Sequence, residues 1–144
     1  MVSKINIKNI PIGYQSFISN GRHAIVGDEP IPSKGTDLGL SPQDLLLSSI
    51  SMCKVATIRN VARRKNIEIG NVDASLKQTI KRQTDGSFKI ESNSASNIEG
   101  DITEEQRKML IEEADNCFIT RVVKGEWEIK KSEALNMENK EEAT

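Results

Sequence analysis

Histidine is almost missing from this chain. His23 stands alone among 144 residues, and cysteine occurs twice, at Cys53 and Cys117. Neither cysteine has a Cys or His neighbour at metal-ligand spacing, so a zinc site is excluded, and Arg22 beside His23 argues against a lone histidine ligand. Aromatics are equally scarce, with one Trp, one Tyr and three Phe, and the net charge is −1. A chain without stacking platforms or a basic face is a poor partner for nucleic acid. No apolar run approaches the roughly 20 residues of a membrane span, and the start M-V-S-K-I-N-I-K-N-I alternates instead of forming a signal-peptide core. These absences predict a cytoplasmic protein with neither nucleic acid nor membrane as partner. A P-loop and a dinucleotide fingerprint are also missing.

What is present is enough for one domain, expected over residues 1–131, followed by a charged tail at 132–144 without an apolar face. Ile5 and Ile7 share a face of a first strand, Gln15 to Ser19 reads as a second, and Asn20-Gly21 signals a two-residue hairpin into a third from Arg22 to Val26. Pro30, Pro32, Gly35 and Gly39 make a loop of Gly27 to Leu40. Val72 to Lys81 and Ser87 to Ser92 read as strands around Asp85-Gly86, while Ser94 to Gly100 is less regular, with Ile98 able to continue the pairing. A last short strand is expected over Gly125 to Lys130, with Trp127 and Ile129 on one face.

Two helices carry stronger signals. Ser41, Pro42 and Asp44 form a capping box ahead of a helix expected to run to about Lys65, where Asn66 stops it. Its first half, L-L-L-S-S-I-S-M-C-K-V-A, is apolar or small on nearly every side. So short a chain can hardly surround such a helix, which implies a dimer. Thr103 opens the second helix with T-E-E-Q, and Leu110, Ala114 and Cys117 fall on one buried stripe. Phe118 to Lys124 fits either a further helical turn or a strand.

The two cysteines sit late in or at the end of separate helices, so only tertiary folding can unite them. Three readings are open: a peroxidatic and resolving couple, a structural disulfide, or two small apolar residues that merely pack. A reducing cytosol disfavours the persistent disulfide and leaves a transient, catalytic one.

Strand, hairpin, D-E-P, the loop, P-Q-D-L-L-L with a cysteine ten residues after Gln43, and E-G-D-I-T-E-E-Q leading to A-D-N-C together resemble the OsmC/Ohr family of thiol-dependent peroxidases. The resemblance spans roughly Ile5 to Ile129 and is nearest the OsmC-like branch. It implies an α+β fold of antiparallel sheets wrapped around long central helices in an intertwined homodimer. It further implies reduction of hydroperoxides, organic ones especially, by two cysteines at each subunit interface, with Cys53 peroxidatic and Cys117 resolving. An external dithiol would reset the enzyme, and no cofactor is called for.

A peroxidatic cysteine must be a thiolate at neutral pH. Cys53 lies about twelve residues past its cap, roughly 18 Å along the axis, beyond the reach of its own helix dipole. Lys54 points about 100° away around the helix and Arg64 lies about 16 Å further along, so the cation has to come from another element. Arg22 occupies a position similar to the family's active-site arginine, which the partner subunit contributes, and Arg121 is the second candidate. Gln43 stands where the better-studied branches carry a glutamate that orients the arginine, and Phe118 stands where a proline typically follows the second cysteine. Asp44 reads as a cap rather than an acid, and Ser48, Ser49 and Ser51 as packing residues. A Cys-His hydrolase with His23 as base and Asp28 or Asp37 as orienter is the weakest alternative. The main competing class is a non-catalytic OsmC-like module that binds a small ligand or senses oxidation.

Overall fold

The structure is a computed structural model, and it describes residues 1–137. Residues 138–144, over half of the expected tail, lie outside the described residues. The chain divides into two compact units, 1–44 with 127 onward, and Leu45–Glu126.

In the first unit, β1 (Asn6–Asn9), β2 (Ser16–Ser19) and β3 (Ala24–Gly27) form an antiparallel sheet in the order β1-β2-β3. The β2–β3 connection is wider than the Asn-Gly pair predicted. Ser19 pairs with Ala24, and the Asn20 side chain accepts the backbone N–H groups of both Arg22 and His23. Asn20 therefore closes a four-residue turn with its own carboxamide, and Arg22 belongs to that turn, exposed, rather than to a strand. The loop beyond β3 is more ordered than its Pro and Gly content suggests. It carries a 3-10 turn at Ile31–Ser33 and folds around one buried carboxylate, Asp28. That side chain accepts the N–H groups of Tyr14, Glu29, Thr36 and Leu38 and the Thr36 hydroxyl. Thr36, opposed by burial and helped by the Leu38, Glu29 and Tyr14 amides, holds the Asp28 pKa down at about 2. Gly35 has no room for a side chain, since a Cβ there would stand 1.8 Å from the Glu29 carbonyl oxygen. The Cys-His hydrolase loses one of its two candidate orienters here, because the Asp28 carboxylate is spent on its own loop.

Helix α1 (Pro42–Arg64) begins as the capping box requires: Asp44 N–H donates to Ser41 Oγ and the Ser41 N–H donates back to Asp44. Asn66, at φ 54°, ends the helix in the left-handed conformation. By length and composition α1 could cross a membrane, which corrects the expectation that nothing in the chain approaches a span. The core helix of a folded domain meets the same criterion, and the second half of α1 is one.

In the second unit, β4 (Val72–Arg82) and β5 (Phe88–Ile98) pair antiparallel in register from Val72–Ile98 to Arg82–Phe88. β5 thus absorbs the less regular Ser94 stretch. Helix α2 (Glu104–Asp115) carries the full capping box between Thr103 and Gln106. Ile58, Val61 and Ala62 of α1, Ile98 of β5 and Leu110 and Ala114 of α2 make the core. Burying such side chains contributes about 1.5–3 kcal/mol each for the larger ones. The ambiguous segment resolves as helix α3 (Phe118–Lys124). The predicted strand at Gly125 to Lys130 does not form among the described residues; Trp127 is 63 % and Ile129 84 % exposed. Both apolar residues of the alternating pattern stay exposed, so burial does not reward the extended form here.

The first half of α1 is a different surface from the second. Leu46 is 44 % and Met52 77 % exposed, whereas Ile58 is fully buried. The apolar run that the sequence assigns to a surrounded helix is only partly covered: Leu45, Leu47, Ile50 and Val55 are half-buried, while Leu46 and Met52 face outward.

Candidate functional site

Cys53 and Cys117 meet at the corner where α1, α2 and α3 converge. The Cys53 thiol, half-buried, reaches the start of α3, where the Ile119 backbone N–H donates to its sulfur at 3.4 Å. Cys53 lies beyond the dipole of its own helix, and the amide at its sulfur comes from α3 instead. Cys117 does not lie in α2. It is the extended residue, at φ −60° and ψ 155°, between α2 and α3. The break turns its side chain into the interior, where 1 % of it is exposed. The stripe of Leu110, Ala114 and Cys117 is buried as a helical wheel predicts, although the third member is reached after the helix has ended.

Around Cys117 the polar groups are few and specific. Its sulfur shares a hydrogen bond of 3.0 Å with Thr120 Oγ1. Burial pushes the thiol up, but the Thr120 hydroxyl, the Thr120 amide, a hydrogen bond with the Cys53 thiol and the charge of Lys54 together bring it below its ordinary value. Lys54 is itself buried, and its ammonium pairs with Asp115 at 2.7 Å. Lys54 faces away from Cys53 around the helix, and its charge acts on the other thiol instead. One signal was available, since a lone charge inside an apolar helix run must either be solvated or paired. Thr120 and Ile119 gave none, because their placement depends on where α2 breaks.

A groove of about 620 Å³ opens beside this corner, walled by Leu46, Leu47, Ile50, Leu76 and Ile90. Its polar lining comes from Lys54, Asp115, Thr120 and Lys124 of the helical segment and from Gln78, Ser92 and Ser94 of the ribbon. Arg121 stacks over the Phe118 ring, 5.9 Å from its centroid, so the residue standing in place of a proline is occupied with a cation. Arg22 and Gln43 belong to the first unit, Arg22 exposed in the β2–β3 turn and Gln43 exposed in the opening turn of α1. No group of three or more metal-ligating side chains occurs among the described residues.

The helix-and-sheet frame has known counterparts. The family model described as OsmC-like protein matches residues 35–132, and the chain belongs to that family. Among solved structures it is similar to an OsmC-like protein from Mycoplasma pneumoniae, with 24 % identity, a TM-score of 0.70, and coverage of 87 % of this chain and 90 % of that one. It is also similar to the organic hydroperoxide resistance protein OhrB of Bacillus subtilis, with 20 % identity, a TM-score of 0.64, and coverage of 87 % and 92 %. A third is the organic hydroperoxide resistance protein OsmC from Legionella pneumophila, with 16 % identity, a TM-score of 0.67, and coverage of 87 % and 90 %. No curated protein matched in the sequence comparison. At these identities the likeness is one of fold, and the α+β OsmC-like architecture is the one expected from the sequence.

Proposed function

We propose that this protein is a two-cysteine reductase of organic hydroperoxides, acting in the cytoplasm as a homodimer. The observation that carries the reading is that two thiols from different elements converge on the start of α3: the half-buried Cys53 accepts the Ile119 N–H, and the buried Cys117 is the residue from which that helix begins. In this mechanism the Cys53 thiolate attacks one oxygen of the hydroperoxide. A sulfur–oxygen bond forms, the oxygen–oxygen bond breaks, and the alkoxide leaves and takes up a proton as the alcohol. Cys117 then attacks the Cys53 sulfenic acid, expelling hydroxide and closing a disulfide. An external dithiol returns both thiols by exchange. The names of two of the compared structures favour organic over hydrogen peroxide. The partly covered first half of α1 favours the homodimer, and the partner's copy of the β2–β3 turn would bring Arg22 to the site, with Gln43 as its hydrogen-bond acceptor.

The open groove favours a second reading, in which the chain binds a small apolar ligand and the thiols only register oxidation. Steady-state consumption of cumene hydroperoxide with dithiothreitol separates the two. Turnover by the parent that is lost in Cys53→Ser supports the reductase, and slow stoichiometric oxidation without turnover supports the sensor. Arg22→Met should slow alkylation of Cys53 at neutral pH if that arginine faces the thiol, and equal rates would leave Arg121 as the candidate.

A further inference from the structure

The buried Lys54 and its partner Asp115 stand at the thiol corner, and the reductase steps use neither. A buried ammonium is costly unless something uses or neutralises it. Asp115, the neutralising partner, is largely exposed, with 65 % of its side chain open, so the pair is anchored at a surface on one end and buried on the other. Asp115 closes α2 two residues before Cys117, which sets the Lys54 charge beside the chain break that holds the second sulfur. Thr120 approaches the same sulfur from the first turn of α3.

We infer that Lys54, held by Asp115, and Thr120 are positioning residues for the resolving step: they keep Cys117 as the ready nucleophile of the pair, so that disulfide closure outruns further oxidation of Cys53. This rests on the reductase reading. In the step, the Cys117 thiolate donates an electron pair to the Cys53 sulfenic sulfur. The sulfur–sulfur bond forms as the sulfur–oxygen bond breaks, and hydroxide leaves and takes a proton from solvent to become water. Cys53 is reduced by one level and Cys117 oxidised by one, the hydroperoxide having supplied the oxidising equivalent. The groups facing Cys117 are Cys53 and Lys54 from α1, Asp115 from α2 through its pair with Lys54, and Thr120 from α3. Of these, Lys54 and the Thr120 hydroxyl favour the anion. Above its lowered pKa Cys117 is thiolate, and the advantage is lost as pH falls through that value. Without Lys54 or the Thr120 hydroxyl, the fall comes at higher pH.

Two measurements test this. In a Cys53→Ser background, the ultraviolet absorbance of the Cys117 thiolate is followed against pH for Thr120→Val, Lys54→Met, Thr120→Ser and Lys54→Arg. The first two should titrate at higher pH, and the two conservative variants should return toward the parent. In the two-cysteine protein, without reductant, several equivalents of cumene hydroperoxide are added, the first to form the Cys53 sulfenic acid and the excess to oxidise any that is not resolved, and disulfide is counted against Cys53 sulfinic acid by mass spectrometry. Lys54→Met and Thr120→Val should raise the sulfinic fraction severalfold over the parent. Unmoved titrations in both variants, or parent-like disulfide yields, overturn the inference. Should Lys54→Met fail to fold, Thr120→Val decides it. If the parent never forms a sulfenic acid at Cys53, the reductase reading fails by itself, while the thiolate titration still reports whether Lys54 and Thr120 act on Cys117.

Discussion

Two buried acids, one in each unit, are both held below their ordinary pKa, and they are provided for very differently. Asp28 accepts four backbone N–H groups and a hydroxyl, so almost every lone pair has a donor fixed by loop geometry. Cys117 has one hydroxyl, the neighbouring thiol, one amide and a charge that is itself shared with Asp115. A saturated anion is a fastener, because moving it breaks every bond at once. A sparsely held one retains a lone pair free for chemistry, and its protonation can be tipped by a single substitution.

The sharpest way to break this comparison is to remove the nucleophile. Cys53→Ser should reduce hydroperoxide turnover to background while altering unfolding free energy by about 1 kcal/mol or less, as replacements outside the tightest core do. Chemical denaturation measured beside activity checks both halves, and a large loss of stability would mean the corner is structural after all.

Asp28→Ala should do the reverse, leaving five donors without an acceptor. A melting temperature lowered by several degrees is expected, together with proteolysis between Gly27 and Leu40; unchanged melting would put Asp28 in a different role. A subtler version uses pH. The folded pKa of Asp28, about 2, lies below the unfolded value near 3.8, so its contribution is present above about pH 4 and disappears as pH falls toward 2. Asp28→Asn should flatten that part of the acid-stability curve, which circular dichroism at fixed temperature can follow.

The smallest expected effect belongs to Gln43→Glu. A carboxylate at this exposed position should hold the arginine better and raise turnover with organic hydroperoxide a few-fold, although the added anion opposes thiolate formation. A variant no faster than the parent, with Gln43→Ala harmless, would remove position 43 from the site.

Much of the frame was legible in the chain because capping and periodicity are local. Ser41 with Asp44, Thr103 with Gln106 and Asn66 marked three helix ends within a residue or so of where they occur. The β2–β3 turn was misjudged by two residues because Asn20 satisfies two amides at once, a contact invisible to a dipeptide signal. Gly125 to Lys130 has the pattern of a strand, but Trp127 and Ile129 remain exposed, and the pattern cannot tell whether a surface is there to bury them. At the candidate site, both cysteines stood out as residues. Their convergence did not, nor did the groups that tune Cys117, because these turn on one interruption of helix after Asp115. The helix angle shows that Lys54 turns away from Cys53, but not that its charge reaches Cys117.

That interruption carries one more consequence, in chain entropy. A bond between Cys53 and Cys117 would tie the middle of α1 to the joint between α2 and α3, closing a long loop that contains the whole β4–β5 ribbon. Restricting the unfolded chain by a loop of that length is worth on the order of 4 kcal/mol. The two redox forms of this protein would then differ not only in reactivity but in how tightly the second unit is held together, with the reduced form the looser and the oxidised form the one that resists unfolding.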